Sequence, residues 1–160
     1  MSLKICIDSS IIVKWFKKGE EHEREALKLR DETLSSTVNP IICEWAYLEV
    51  VRALVKAGYT KAKIIQAYKI LKEMAELGFI NTVPVHNLLE KAKDLEKWNQ
   101  PIRLRRCKPY NSNVKLKNML TEDKHLLQEN VRNHMEKLGL KVTRLKEFFI
   151  PHIKPHLSII

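Results

Sequence analysis

Between Lys4 and Phe16 the hydrophobic period changes at a single residue, Asp8. Lys4 to Ile7 reads as a short buried strand, and Ser9 to Phe16 carry Ile11, Ile12, Trp15 and Phe16 at helical spacing. A strand that gives way to a helix after one residue commits a chain to α/β architecture, because the helix must pack back across the sheet its strand belongs to. It also places Asp8, Ser9 and Ser10 at the carboxyl end of a strand, the edge at which open α/β sheets bind ligands.

The remaining pattern repeats this alternation. Glu20 to Glu32 reads as a charged surface helix with Ala26, Leu27 and Leu29 inward, and Thr33 to Val38 as a second strand. Asn39-Pro40 has the form of a helix start, a capping side chain before a proline, so a helix is expected over Ile41 to Ala57. Thr60 caps another that runs to about Leu77 and stops at Gly78. Phe79 to Val85 reads as a strand, Asn87 to Trp98 as a helix, Lys117 to Leu120 as a strand, Lys124 to Leu138 as a helix and Lys141 to Leu145 as a last strand before Phe148-Phe149. The expected fold is a three-layer α/β/α domain over residues 1–150, with a central parallel sheet of four to five strands, followed by a tail at 151–160.

Composition narrows the class of function. Cys6, Cys43 and Cys107 are odd in number and include no Cys-x-x-Cys pair, which fits a reducing, cytoplasmic setting better than a disulfide framework or a zinc knuckle. No apolar run reaches the ~18 residues of a membrane span, so no membrane association is expected. Of the six histidines, His152 and His156 have ligand spacing, but Pro155 breaks the helix such a pair would need. The net charge of +10 points to an anionic partner, nucleic acid first. That charge is concentrated: from Pro101 to Leu120 there is no acid and there are six bases, leaving +4 for the rest of the chain.

Three pieces in order carry a family resemblance: Ile7-Asp8-Ser9-Ser10 after the first strand, a glutamate early in the helix expected after Asn39-Pro40, and Leu120-Thr121-Glu122-Asp123 after a later strand, followed by Gly139-x-x-Val142. In these the chain resembles the PIN-domain nucleases, among them the VapC-like toxins of toxin–antitoxin pairs, over roughly Leu3 to Phe149. The resemblance implies a metal-dependent endoribonuclease with RNA as substrate, an antitoxin protein as partner and a homodimeric state. It assigns Asp8, Glu44 and Asp123 as catalytic residues and ligands of Mg²⁺ or Mn²⁺, with Ser10 and Thr121 in support. Glu49, in Glu49-Val-Val-Arg-Ala-Leu54, locally resembles the family's glutamate-apolar-x-x-Ala-Leu pattern and is the competing glutamate. Five residues turn a helix by about 500°, so Glu44 and Glu49 lie about 140° apart and cannot share a face. With Asn39 as the cap, Glu44 falls nearer the sheet edge and is preferred.

Elementary chemistry points the same way. Asp8 and Asp123 each follow a strand, so a parallel sheet brings both to one edge, where two carboxylates repel unless a cation neutralises them. Oxygen-only ligands select Mg²⁺ or Mn²⁺. Either aspartate taken singly reads as an ordinary helix cap; the ordered set is what points to a metal site. Trp15, Trp45 and Trp98 read as core or subunit contacts, and Tyr47, Leu48 and Val51 as core or a dimer face.

The family has a further aspartate in an apolar-Tyr-x-x-Asp-Ala helix before the Lys117 strand, and this chain has no acid from Gln100 to Leu120. Reading the codons from Pro101 one nucleotide later permits Leu-Tyr-Ala, then Asp-Ala-Asn-Leu, then Ala. Compensating frame changes bounding residues 100 to 116 are therefore one expectation. The other is a basic loop in which Arg103, Arg105, Arg106 and Lys108 grip nucleic-acid backbone and Tyr110 stacks on a base. On that second expectation the chain is a catalytically impaired nucleic-acid or protein binding module.

Overall fold

A computed structural model describes residues 2–85 and 117–149. The helix expected over Asn87 to Trp98, the segment from 100 to 116 and the tail at 151–160 lie outside the described residues. Five strands, β1 (Leu3–Ile7), β2 (Val38–Cys43), β3 (Asn81–Val83), β4 (Asn118–Leu120) and β5 (Lys141–Thr143), form one sheet in the order β3-β2-β1-β4-β5. All four pairings are parallel, with Ile5 opposite Pro40, Ile7 opposite Leu120 and Met119 opposite Val142. β1 is thus the middle strand, with a neighbour on each side.

Side chains of β1, β2 and β4 alternate between two separate cores. Ile5, Ile7, Val38, Ile42 and Leu120 join one core with residues of α1 (Ser9–Val13), α2 (Glu23–Leu34), α3 (Trp45–Lys56), α4 (Lys61–Glu76) and the terminal α6 (Leu145–Phe149). Cys6, Met119 and Val142 point the other way and pack against Leu126 and against Met135 of α5 (Glu129–Lys137). Helices on both faces of a parallel sheet give the three-layer α/β/α architecture expected from the alternation of elements. Among the described residues no helix is long and apolar enough to cross a membrane.

The fold departs from the sequence reading around β2. Thr33 does not open a strand: α2 continues through Leu34, and the buried Thr33 hydroxyl donates back to the Leu29 carbonyl at 2.8 Å. Asn39 and Pro40 do not open a helix either, since both lie within β2. Val38, Pro40 and Ile42 are buried while the residues between them are half-buried, a period of two that the capping signal masked. The proline is tolerated because the β3 ladder begins opposite Ile41, so at Pro40 the strand still has an open side. The Asn39 side chain, read as a cap, accepts a hydrogen bond from the Asn81 amide across the β2–β3 pair. Elsewhere the deviations are at element ends. α1 ends at Val13 and tightens into i→i+3 turns, Trp15 N–H to the Ile12 carbonyl and Phe16 N–H to the Val13 carbonyl. α4 starts at the Thr60 cap as expected.

Candidate active site

Asp8 is fixed by the middle of the sheet. Its backbone N–H donates to the Leu120 carbonyl at 2.9 Å, carrying the β1–β4 ladder one residue past the strand ends. Its carboxylate caps α1, Oδ2 accepting from the Ser10 N–H at 3.2 Å, and the same oxygen accepts from the Thr121 hydroxyl at 3.2 Å. Thr121, fully buried, in turn accepts the Asp123 N–H at 3.0 Å, while the Ser10 hydroxyl accepts the Glu122 N–H at 3.0 Å. Ser10 and Thr121 therefore clip the turn after β1 to the turn after β4. This contact joins residues more than a hundred positions apart, and its consequence is that Asp8 and Asp123 hold a fixed spacing.

Glu49 reaches the same place from α3. Its Oε2 accepts a 2.6 Å hydrogen bond from the Ser9 hydroxyl. Trp45, Leu48, Glu49, Arg52, Ala53 and Lys56 share one face of α3, at the three- and four-residue spacing of a helix. Opposite that face stand Asp8, Ser9, Ser10 and Asp123, and the two walls enclose a pocket of about 450 Å³. Trp45 is 41 % exposed at the rim of this pocket and does not belong to the core.

Glu44 is placed elsewhere. Because α3 begins at Trp45, Glu44 is the residue before the helix and not one within its first turns. Its N–H continues the β2–β3 ladder to the Val83 carbonyl, and its exposed carboxylate accepts the Val85 N–H at 3.2 Å. The pocket is lined by Glu49 and not by Glu44. The helix cap stands five residues later than Asn39, at Glu44 itself, so the 140° helical separation does not apply and Glu49 is the glutamate on the pocket face.

Burial pushes the Asp8 carboxyl above its ordinary range; hydrogen bonds from Ser10 oppose this, the nearby Glu49 carboxylate adds to it, and the Thr121 hydroxyl opposes it. A carboxylate raised in this way holds its proton more tightly, and an opposite charge beside it would favour the ionised form. Among the described residues no group of three or more His, Cys, Asp or Glu side chains forms a ready-made metal cage. Mg²⁺ does not need one, since it is usually held by one or two carboxylates with water and a phosphate oxygen supplying the rest. Asp8, Glu49 and Asp123 give this pocket oxygen donors only, the donor type such an ion takes. No family model matches the chain, and no curated protein matches it. The site therefore has to be read from its own chemistry.

That chemistry has two parts. Carboxylates and hydroxyls line the wall at the sheet edge, while the Arg52 and Lys56 cations stand along α3. Sequence inspection passed over Arg52 and Lys56. The signal was present, at three and seven residues beyond Glu49, but it becomes visible only when Glu49 is the glutamate that faces the pocket.

Proposed function

We infer that the chain is a metal-dependent endoribonuclease that hydrolyses RNA phosphodiesters at the pocket between β1, β4 and α3. One observation carries the reading: Asp8, Glu49 and Asp123 line a single pocket at the carboxyl edge of a parallel sheet, with Arg52 and Lys56 on the same pocket wall as Glu49. Asp8, Glu49 and Asp123 would hold Mg²⁺ or Mn²⁺, which supplies Lewis acidity and a water of lowered pKa. The protein's own residues do the positioning. Thr121 and Ser10 fix the Asp8 carboxylate, Ser9 fixes that of Glu49, and Arg52 and Lys56 bind the phosphate backbone of the substrate without reading its sequence. RNA as the substrate, action as a cytoplasmic toxin, capture by an antitoxin and homodimerisation rest on the resemblance of Ile7-Asp8-Ser9-Ser10 and Thr121-Glu122-Asp123 to PIN-domain nucleases.

The test is cleavage of a fluorescent single-stranded RNA with Mn²⁺, Mg²⁺ or EDTA. Wild type cleaves with metal only, and Asp8→Asn loses at least ~100-fold in rate, the upper end of what loss of a ligand's supporting partner costs. A second reading has its own support in the absence of acid from Gln100 to Leu120. On that reading the chain is a nucleic-acid or protein binding module of the same fold. RNA binding without cleavage under every metal condition would replace the first reading with the second.

A further inference from the structure

A second cavity, of about 550 Å³, opens where the end of α1 meets α2, α3 and α4. Among the described residues it shares no lining residue with the carboxylate pocket. Among the described residues two buried side-chain nitrogens make no hydrogen bond, the indole Nε1 of Trp15 and the guanidinium Nε of Arg30, and both residues line this one cavity. Trp15 is 95 % buried, being 5 % exposed, so its N–H is cut off from bulk water. Buried donors without a partner are rare in native proteins, and two in one cavity call for an acceptor that binds there. The outer end of the Arg30 guanidinium is engaged by Asp31 at 3.2 Å, which leaves the inner Nε as the unsatisfied group.

The rest of the lining defines the occupant. Among the described residues Lys18 and Lys63 add two further cations, and no aspartate or glutamate lines the cavity. Leu54 and Ile70 contribute apolar surface, Leu54 fully buried and Ile70 partly exposed. A cavity that combines donors and cations with apolar lining is complementary to an anionic head group on an apolar body. We propose that this cavity is a second binding site, for a small amphipathic anion whose carboxylate or phosphate accepts the Trp15 and Arg30 N–H groups while its apolar body lies on Leu54 and Ile70.

Anilinonaphthalene sulfonate is a suitable probe, with phenylnaphthylamine as its uncharged counterpart, both titrated into the full chain by fluorescence. The sulfonate binds at least tenfold more tightly than the neutral compound. Arg30→Gln raises its Kd about tenfold and Trp15→Phe about fivefold, the losses expected for a charge-assisted and a neutral hydrogen bond. Arg52→Gln, in the other pocket, leaves it unchanged. Because Trp15→Phe also thins the core, the indole N–H resonance of Trp15 in the wild-type protein gives an independent readout and shifts on titration. Octanoate and phenyl phosphate compete for the site, and whichever displaces the probe at lower concentration names the head group. Equal affinity for charged and neutral probes, an unmoved Trp15 resonance, failure of both competitors, or a loss confined to Arg52→Gln would each overturn the proposal.

Discussion

Asp8 shows how a structural and a chemical demand can meet in one side chain. As a cap it accepts the Ser10 N–H, and as a half-buried carboxylate it carries a charge that its surroundings resist. Burial above all, with Glu49 adding to it, makes the folded chain bind the Asp8 proton more tightly than the unfolded chain, whose ordinary value is 3.8. Stability linked to this group is therefore greatest below that value and falls as pH rises through the higher folded value. In EDTA, Asp8→Asn should match wild type in its urea midpoint at low pH and exceed it increasingly toward neutrality. Adding Mn²⁺ should raise the midpoint of wild type and not of the variant, because a ligand that binds only the folded state stabilises it. A wild-type advantage in EDTA at neutral pH would contradict the assignment of Asp8 as a strained carboxylate. The two glutamates give a sharper comparison. Glu49→Gln should lower metal-dependent cleavage ~10- to 100-fold or more, as loss of a ligand's neighbourhood does. Glu44→Gln, whose carboxylate holds the Val85 N–H away from the pocket, should stay within about threefold, a factor equal to under 1 kcal/mol. The reverse ranking in the RNA cleavage assay would return the site to Glu44.

At the scale of elements, what the sequence made legible depended on how far the deciding interaction lay along the chain. β1, the Asp8 junction, the Thr60 cap and the alternation of strands and helices are local patterns, and the parallel sheet followed from them. β2 and the start of α3 are not local. Asn39-Pro40 satisfies every short-range rule for a helix start, and it was overruled by pairing with β1 and β3 and by burial of Val38, Pro40 and Ile42 against helices that lie on either side in sequence. The same boundary decides which glutamate lines the pocket, Glu49 in place of the preferred Glu44. Asp8 and Asp123 were unaffected because each is placed by a strand end. The correction has a stability consequence. Ile42, 1 % exposed on the inward face of β2, should cost about 2–5 kcal/mol on truncation to alanine, read as a lowered urea midpoint with an unchanged slope. A loss under 1 kcal/mol would mean that the inward face of β2 is not the buried one.

At the scale of the whole molecule, a pocket lined by three carboxylates and a long basic run occur in one chain. The described residues supply Asp8, Glu49 and Asp123 to one pocket, whereas the residues from Pro101 to Leu120 supply six bases and no acid. Two sources of that run make opposite predictions. If it is native, RNA affinity should depend steeply on salt through it, with a slope in log units that drops by up to about 4 when all six bases are neutralised, at ~0.7 per phosphate contact on single strands. If it arises from compensating frame changes, the coding DNA across residues 98 to 118 must contain codons that read Leu-Tyr-Ala and Asp-Ala-Asn-Leu one nucleotide later. A chain carrying that shifted segment gains an aspartate and loses bases, and should cleave RNA ~10- to 100-fold faster with Mn²⁺ than the chain described here, while its affinity becomes less sensitive to salt. Codons at Arg106 and Cys107 that cannot encode aspartate in the shifted frame would end the frame explanation outright. A shifted chain with unchanged metal-dependent activity would show that the pocket between β1, β4 and α3 already holds all the carboxylates its chemistry uses.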